Sequence, residues 1–258
     1  MKYRPVSVAV PSQDDAVSQE LMTEMLQHLE IILALHDLES FPTTKKLPAK
    51  LFEHLDLALD CYDRYIDHII IGEKWQVSCY KGCSACCKYE LARGITVLEV
   101  INIYRYVRSW PDIEDIYEQN GKNMVVFQQL LAKELSGHPE SLQPDDPRIV
   151  EAHLIYNSLQ RQCAFLDNEQ GVCRIYPVRP IVCRFFFSLS PVERCSPEHP
   201  AYRGRDAVGI DPSEIIKEQM LAISRRLQVR SLNFLSGAFV SIAGDMMEGE
   251  PLKIYNYE

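Results

Sequence analysis

The stretch "VSCYKGCSACCKYE" (residues 77–90) places Cys79, Cys83, Cys86 and Cys87 within nine positions. Spacings of C-x3-C and C-x2-C let one turn of chain aim two thiolates at a point between them, which is what metal ligation needs. Further along, Cys163, Cys173, Cys183 and Cys195 follow at intervals of ten, ten and twelve residues. Eight sulfurs thus form two sets of four. A zinc ion takes four thiolates, and a [4Fe–4S] cluster also takes four. The ninth cysteine, Cys61, lies in a helical stretch and reads as a small buried residue, not a further ligand.

Composition narrows the alternatives. A chain of 258 residues buries a substantial core without disulfide staples. Its 47% hydrophobic and 24% charged residues are ordinary for a globular protein. A net charge of −9, from 27 basic and 36 acidic residues, argues against nucleic acid as a partner. The apolar run before Pro11 is five residues, too short for a secretion leader. Residues 234–244 fall well short of the ~20 needed to span a bilayer. The expectation is a cytoplasmic protein with no membrane partner, in a compartment that keeps thiols reduced. The odd count of nine cysteines also speaks against full disulfide pairing.

Helical periodicity dominates the rest. Residues 12–15 (SQDD) have the form of a capping box opening a helix to about Leu38, with Leu21, Met25, Leu29 and Ile32 on one face. A second helix is predicted over 48–71, with Leu51, Leu55, Leu59, Tyr62, Ile66 and Ile69 as its apolar stripe. Asp56, Asp60, Asp63 and Asp67 line another face, which reads as solvated. Thr96 and Glu99 mark a third helix ending near Pro111. A fourth fits 112–135, with Gly121 as a weak point. Residues 136–147 read as a loop, and Asp146-Pro147 opens a helix to about Gln160.

Residues 163–176 (CAFLDNEQGVCRIY) break the pattern. Two β-prone runs predict a hairpin that sets Cys163 and Cys173 roughly opposite each other. Asp211 to Glu214 opens another helix to about Gln228, and a last apolar helix covers about 232–247, where Gly237 and Gly244 read as packing positions. Nothing alternates strand and helix as a parallel sheet would. The expected fold is mainly α, a helical domain around a compact cysteine-rich metal-binding knot with a short β-hairpin. The expected organisation is an N-terminal helical segment (1–74), a cysteine domain (75–205) and a C-terminal helical segment (206–258), packed as one unit.

Neighbouring side chains of an extended segment point to opposite sides. Cys86 and Cys87 therefore serve different centres, or sit in a tight turn, and the two cysteine sets are expected to interleave. Cys79, Cys83 and Cys86 also reproduce the C-x3-C-x2-C spacing of radical S-adenosylmethionine enzymes. Those enzymes carry an aromatic residue where Ala85 stands, and they need a β/α barrel that this helical pattern does not supply.

"CYKGCSACC" (residues 79–87), followed by "CAFLDNEQGVCRIYPVRPIVCRFF" (residues 163–186), resembles the YkgJ-type cysteine-cluster family, a zinc- or iron-chelating domain. The resemblance covers about residues 79–195. It implies a metal centre, a [4Fe–4S] cluster or zinc, held by Cys79, Cys83, Cys86, Cys87, Cys163, Cys173, Cys183 and Cys195. One branch of the family contains a longer protein-lysine N-methylase. That makes methyl transfer an enzymatic alternative, beside a non-catalytic protein that docks a protein partner. No glycine-rich strand-to-helix loop of a conventional methyltransferase is present.

Four thiolates around Zn2+ or a [4Fe–4S]2+ core leave a net charge of −2, which nearby N–H donors and cations must offset. The second region supplies Arg174, Arg179, Arg184, Arg194, Arg203 and Arg205. Arg179 and Arg184 are the preferred candidates for that role, and the Tyr176 hydroxyl could bond a sulfur. His199 reads as an exposed loop histidine.

Overall fold

The computed structural model describes residues 7–9, 15–80, 82–88, 92–134, 147–196, 198–201, 206–232 and 234–256. Asp15 caps the first helix, α1 (Ala16–Leu33), by accepting the Ser18 N–H at 2.8 Å. The rest of the expected capping box, residues 12–14, lies outside the described residues. The helix stops at Leu33, short of Leu38, and its face of Leu21, Met25, Leu29 and Ile32 is buried. A single turn, α2 (Phe41–Thr44), ends at Lys45 in the left-handed region and redirects the chain.

The long helix α3 (Ala49–Gly72) then runs back along α1. Its antiparallel course is fixed by three contacts: His68 to Asp15 at 3.0 Å, Arg64 to Glu24 at 3.4 Å, and His28 to His54 at 2.9 Å. The six-residue apolar stripe of α3 is buried throughout. Each such side chain contributes about 1.5–3 kcal/mol. The acidic face is largely exposed, as expected, and two of its carboxylates are also paired. Asp56 receives Arg105 on both oxygens at 2.9 Å, and Asp63 receives Arg184. Two positions two turns apart on the acidic line, Asp56 and Asp63, thus receive basic groups from other parts of the chain.

Thr96 and Glu99 form the expected capping box on α4 (Val97–Val107), with Thr96 N–H donating to Glu99 at 2.8 Å. The helix α5 (Ile113–Glu134) passes through Gly121 without a break. The predicted loop after it falls largely outside the described residues, and α6 (Pro147–Ser158) begins at the expected proline. Ser213 caps α7 (Glu214–Arg226). At its end Arg226 reaches the last turn of α1, donating to the carbonyls of Leu33 and Leu35. The last helix, α8 (Leu235–Met247), packs closely on α5, where a Cβ at Gly244 would collide with the Tyr117 hydroxyl; one at Gly237 would instead meet Phe234 and Leu232, just before α8. One hydrophobic cluster joins α1, α3, α4, α7 and α8, and takes in Phe165, Ile175 and Val178 from the cysteine region.

The strands are short: β1 (Ser7–Ala9), β2 (Lys46–Pro48), β3 (Leu166–Asp167), β4 (Val172–Cys173), β5 (Phe186–Ser188), β6 (Asp206–Gly209) and β7 (Lys253–Tyr255). β6 lies between β1, which it pairs in parallel, and β5, which it pairs antiparallel. A second parallel pair joins β2 to β7. The helical pattern in the sequence gives no sign of these parallel pairings. β3 and β4 form the predicted hairpin, but its register puts Leu166 opposite Cys173. Cys163 precedes the ladder and reaches it through a turn closed by Leu166 N–H to Cys163 O at 3.0 Å. The fold is mainly α with short strands. Among the described residues, no helix is long and apolar enough to cross a membrane.

Candidate metal centre

Few regular backbone bonds hold the first cysteine stretch, so it takes its shape from its neighbours. Ser78 N–H donates to Ser188 O at 2.8 Å, and the Ser78 hydroxyl donates to Ser190 O. Gly82, at φ 91°, supplies the positive φ of the turn that carries Cys83, whose N–H bonds Tyr80 O at 2.8 Å. A 3-10 turn spans Cys86–Lys88. The Ser84 hydroxyl bonds Gly171 O in the hairpin loop, and Cys163 N–H bonds Cys87 O at 2.7 Å. In that loop Asp167 accepts the N–H groups of Glu169 and Gln170, both at 2.9 Å.

These ties sort the sulfurs into two groups. Cys79 and Cys83 are electrostatic neighbours, with Cys195 next to Cys79. Cys87 neighbours both Cys86 and Cys173, while Cys163 and Cys183 neighbour Cys86 and Cys173. The sets therefore interleave, as three and five instead of four and four. Cys195 crosses to the pair at the start of the first stretch. Cys86 and Cys87 face the same group, because the 3-10 turn replaces the extended backbone that would have separated them.

The electrostatics match thiols gathered in a partly desolvated place. In each pair one thiol holds the proton and the other is drawn down: Cys83 by Cys79, and Cys173 by Cys87. Burial pushes Cys163 up to about 12. Cys183, although exposed, faces a cleft, and desolvation raises it well above the ordinary thiol range. The backbone N–H two residues on favours the thiolate at three sulfurs: Ala85 at Cys83, Phe165 at Cys163 and Ile175 at Cys173. Cys79 accepts the Ser188 N–H at 3.3 Å. Such donors stabilise thiolate over thiol.

The arginines act mostly at one remove. Arg184 is 1% exposed and donates to Arg179 O and Pro177 O, both at 2.8 Å, and to Asp63. It bonds no sulfur; it fixes the loop that carries Cys183 to α3, while its charge helps lower Cys173. Arg179 stacks on the Tyr176 ring at 3.9 Å from the centroid, also lowers Cys173, and keeps a buried Nε with no hydrogen-bond partner. Tyr176 is thus engaged through its ring. Arg174 pairs with Asp112 and lies 4.2 Å over Trp110, which pins the hairpin beside the α4–α5 junction. Arg194 sits in the 3-10 turn that ends at Cys195, whereas Arg203 and Arg205 lie outside the described residues. His199 accepts the Ala201 N–H on Nδ1 at 3.1 Å.

One feature has no counterpart in the sequence reading. An apolar cleft of about 570 Å³ opens on Cys86, Cys87, Cys163 and Cys183. Phe127, Tyr156 and Phe234 form its aromatic wall, with His153 and Arg161 among its polar groups. His153 and Phe127 are single residues on separate helices, so no spacing in the chain marks them.

Residues 78–202 match the family model CxxCxxCC, "Putative zinc- or iron-chelating domain". No curated protein and no solved structure matches the chain.

Proposed function

We propose that this chain, whose residues 78–202 match the CxxCxxCC zinc- or iron-chelating family model, binds metal through both sulfur groups, with a [4Fe–4S] cluster at the larger. The observation that carries this reading is the convergence of eight free cysteines from four separate segments into two adjoining groups. The donor set fits such centres: the thiols are unpaired in disulfides, several are desolvated, and backbone N–H groups already favour the thiolate at four of them.

Four ligands for the cluster would come from Cys86, Cys87, Cys163, Cys173 and Cys183. Cys79, Cys83 and Cys195 would hold the second centre, with one coordination position left to a non-cysteine ligand. Arg179 and Arg184 offset the charge beside Cys173. When bound, a cluster supplies one-electron chemistry or a rigid cross-link.

Anaerobic purification with iron, zinc and acid-labile sulfide analysis tests the reading. About four iron and four sulfide per chain are expected at the larger group. Zinc without sulfide would overturn the cluster assignment, and a metal-free chain whose residues 78–88 and 163–196 stay as protected as in the loaded protein would overturn ligation altogether.

The cleft favours a second reading, a cluster-dependent modifying enzyme whose substrate enters beside Cys183. Protein-lysine methylation is its precedent in the YkgJ-type resemblance. Calorimetry with S-adenosylmethionine on the metal-loaded protein checks it; no binding would exclude methyl transfer from that donor.

A further inference from the structure

We propose a separate divalent-cation site, of the zinc class, between α1 and α3, formed by Glu24, His28 and Cys61 with His54 beside them. None of these residues belongs to the cysteine domain. Glu24 and His28 are four residues apart and share one face of α1. His54 and Cys61 are seven apart on α3, two turns along the same face. The antiparallel pairing brings the two faces together.

The ligand atoms of Glu24, His28 and Cys61 all lie within 4.8 Å of one another. His28 Nδ1 is 2.9 Å from His54 Nδ1, so two ring nitrogens point at each other with room for one proton between them. His54 is not among those mutually close ligand atoms, so it orients the His28 ring from beside the site and is not a fourth ligand. Cys61 is 1% exposed and the other three are half-buried, which gives a site closed toward the core and open at its rim.

The donors select the metal. Thiolate with imidazole and carboxylate suits Zn2+ or Co2+, whereas Mg2+ and Ca2+ want oxygen alone. The burial of Cys61 is what a core cysteine would show. Its neighbours are what distinguish it: Glu24 and His28 lie 37 and 33 positions away in the chain, and His54 seven.

The full-length protein, purified with its cysteine domain loaded and then desalted anaerobically, is titrated with Co2+ and Zn2+ by calorimetry and absorption. One equivalent beyond the resident metal is expected, with a cobalt–thiolate charge-transfer band. Cys61→Ser should lose the band and the equivalent. Glu24→Gln and His54→Ala should bind at least tenfold more weakly, in the range of about 10–100-fold seen when a partner group at a metal site is removed. These two residues are half-buried on helix faces, so their variants carry the test if Cys61→Ser fails to fold by circular dichroism. No additional equivalent in the wild type, or one that both variants bind equally well, would overturn the site and leave two imidazoles sharing a proton.

Discussion

Arg184 shows how much one buried charge holds in place. Its guanidinium serves two carbonyls and Asp63 at 1% exposure, so Arg184→Met would strand three acceptors around an apolar side chain. A loss of about 3 kcal/mol or more is expected in urea unfolding, and Arg184→Lys should recover only part of it because a point charge cannot fork three ways. The sequence points to Arg184 as a cation beside sulfur. It could not name Asp63, which lies 121 residues away on a helix face that reads as solvated. A second residue-scale effect follows from Asp112. The Arg174 guanidinium holds its carboxyl below the usual carboxylate range. The unfolded chain therefore binds the proton at higher pH than the folded one. The stabilisation is present at neutral pH and is lost as pH falls through about 4 and below. Asp112→Asn should start less stable at pH 7 and lose less on acidification, a difference read from unfolding curves between pH 7 and pH 2.

At the scale of elements, the signals that were legible are those written within one turn. The Thr96–Glu99 box fixes the start of α4, and Thr96→Ala should cost about 1 kcal/mol in chemical denaturation. Glu99 has a use beyond the box: its other oxygen accepts the Ile181 N–H at 2.7 Å and anchors the loop that presents Cys183. That bond could not be read from local spacing. Nor could the parallel pairs β1–β6 and β2–β7, since strands of three or four residues carry too little periodicity to stand out. Gly237 and Gly244, by contrast, read correctly as packing positions on α8. Gly244→Val would drive a branched side chain into Tyr117 and should lower stability by about 1–3 kcal/mol, measurable as a fall in melting temperature. The hairpin was legible because Asp167 and Gly171 mark its turn. The three-and-five partition of the sulfurs was not, because it depends on where Cys195 returns to the first stretch.

Across the whole molecule, two kinds of cohesion meet along α3. On one side α1, α3 and α7 share helical backbone ladders and a continuous apolar core. On the other, residues 78–88 and 163–196 rest on 3-10 turns and strands of two or three residues, with few repeating bonds of their own. Metal ligation is the term that can make this second part rigid, since binding free energy at a structural site becomes folding free energy. The joins between the parts are specific: Arg184 to Asp63, Glu99 to Ile181, and Arg174 to Asp112. Removing the metal under anaerobic reducing conditions should therefore act unevenly. Hydrogen exchange followed by mass spectrometry is expected to show protection lost by tenfold or more over 78–88 and 163–196, the regime of local opening. α1 and α3 should keep their protection, because their core does not rest on the eight cysteines of the metal centre. Glu99→Gln should extend the loosening into the start of α4 by weakening the join that ends on Ile181. If exchange instead rose equally in all helices on metal removal, the helical core would depend on the cysteine region, and the division of cohesion along α3 would be wrong.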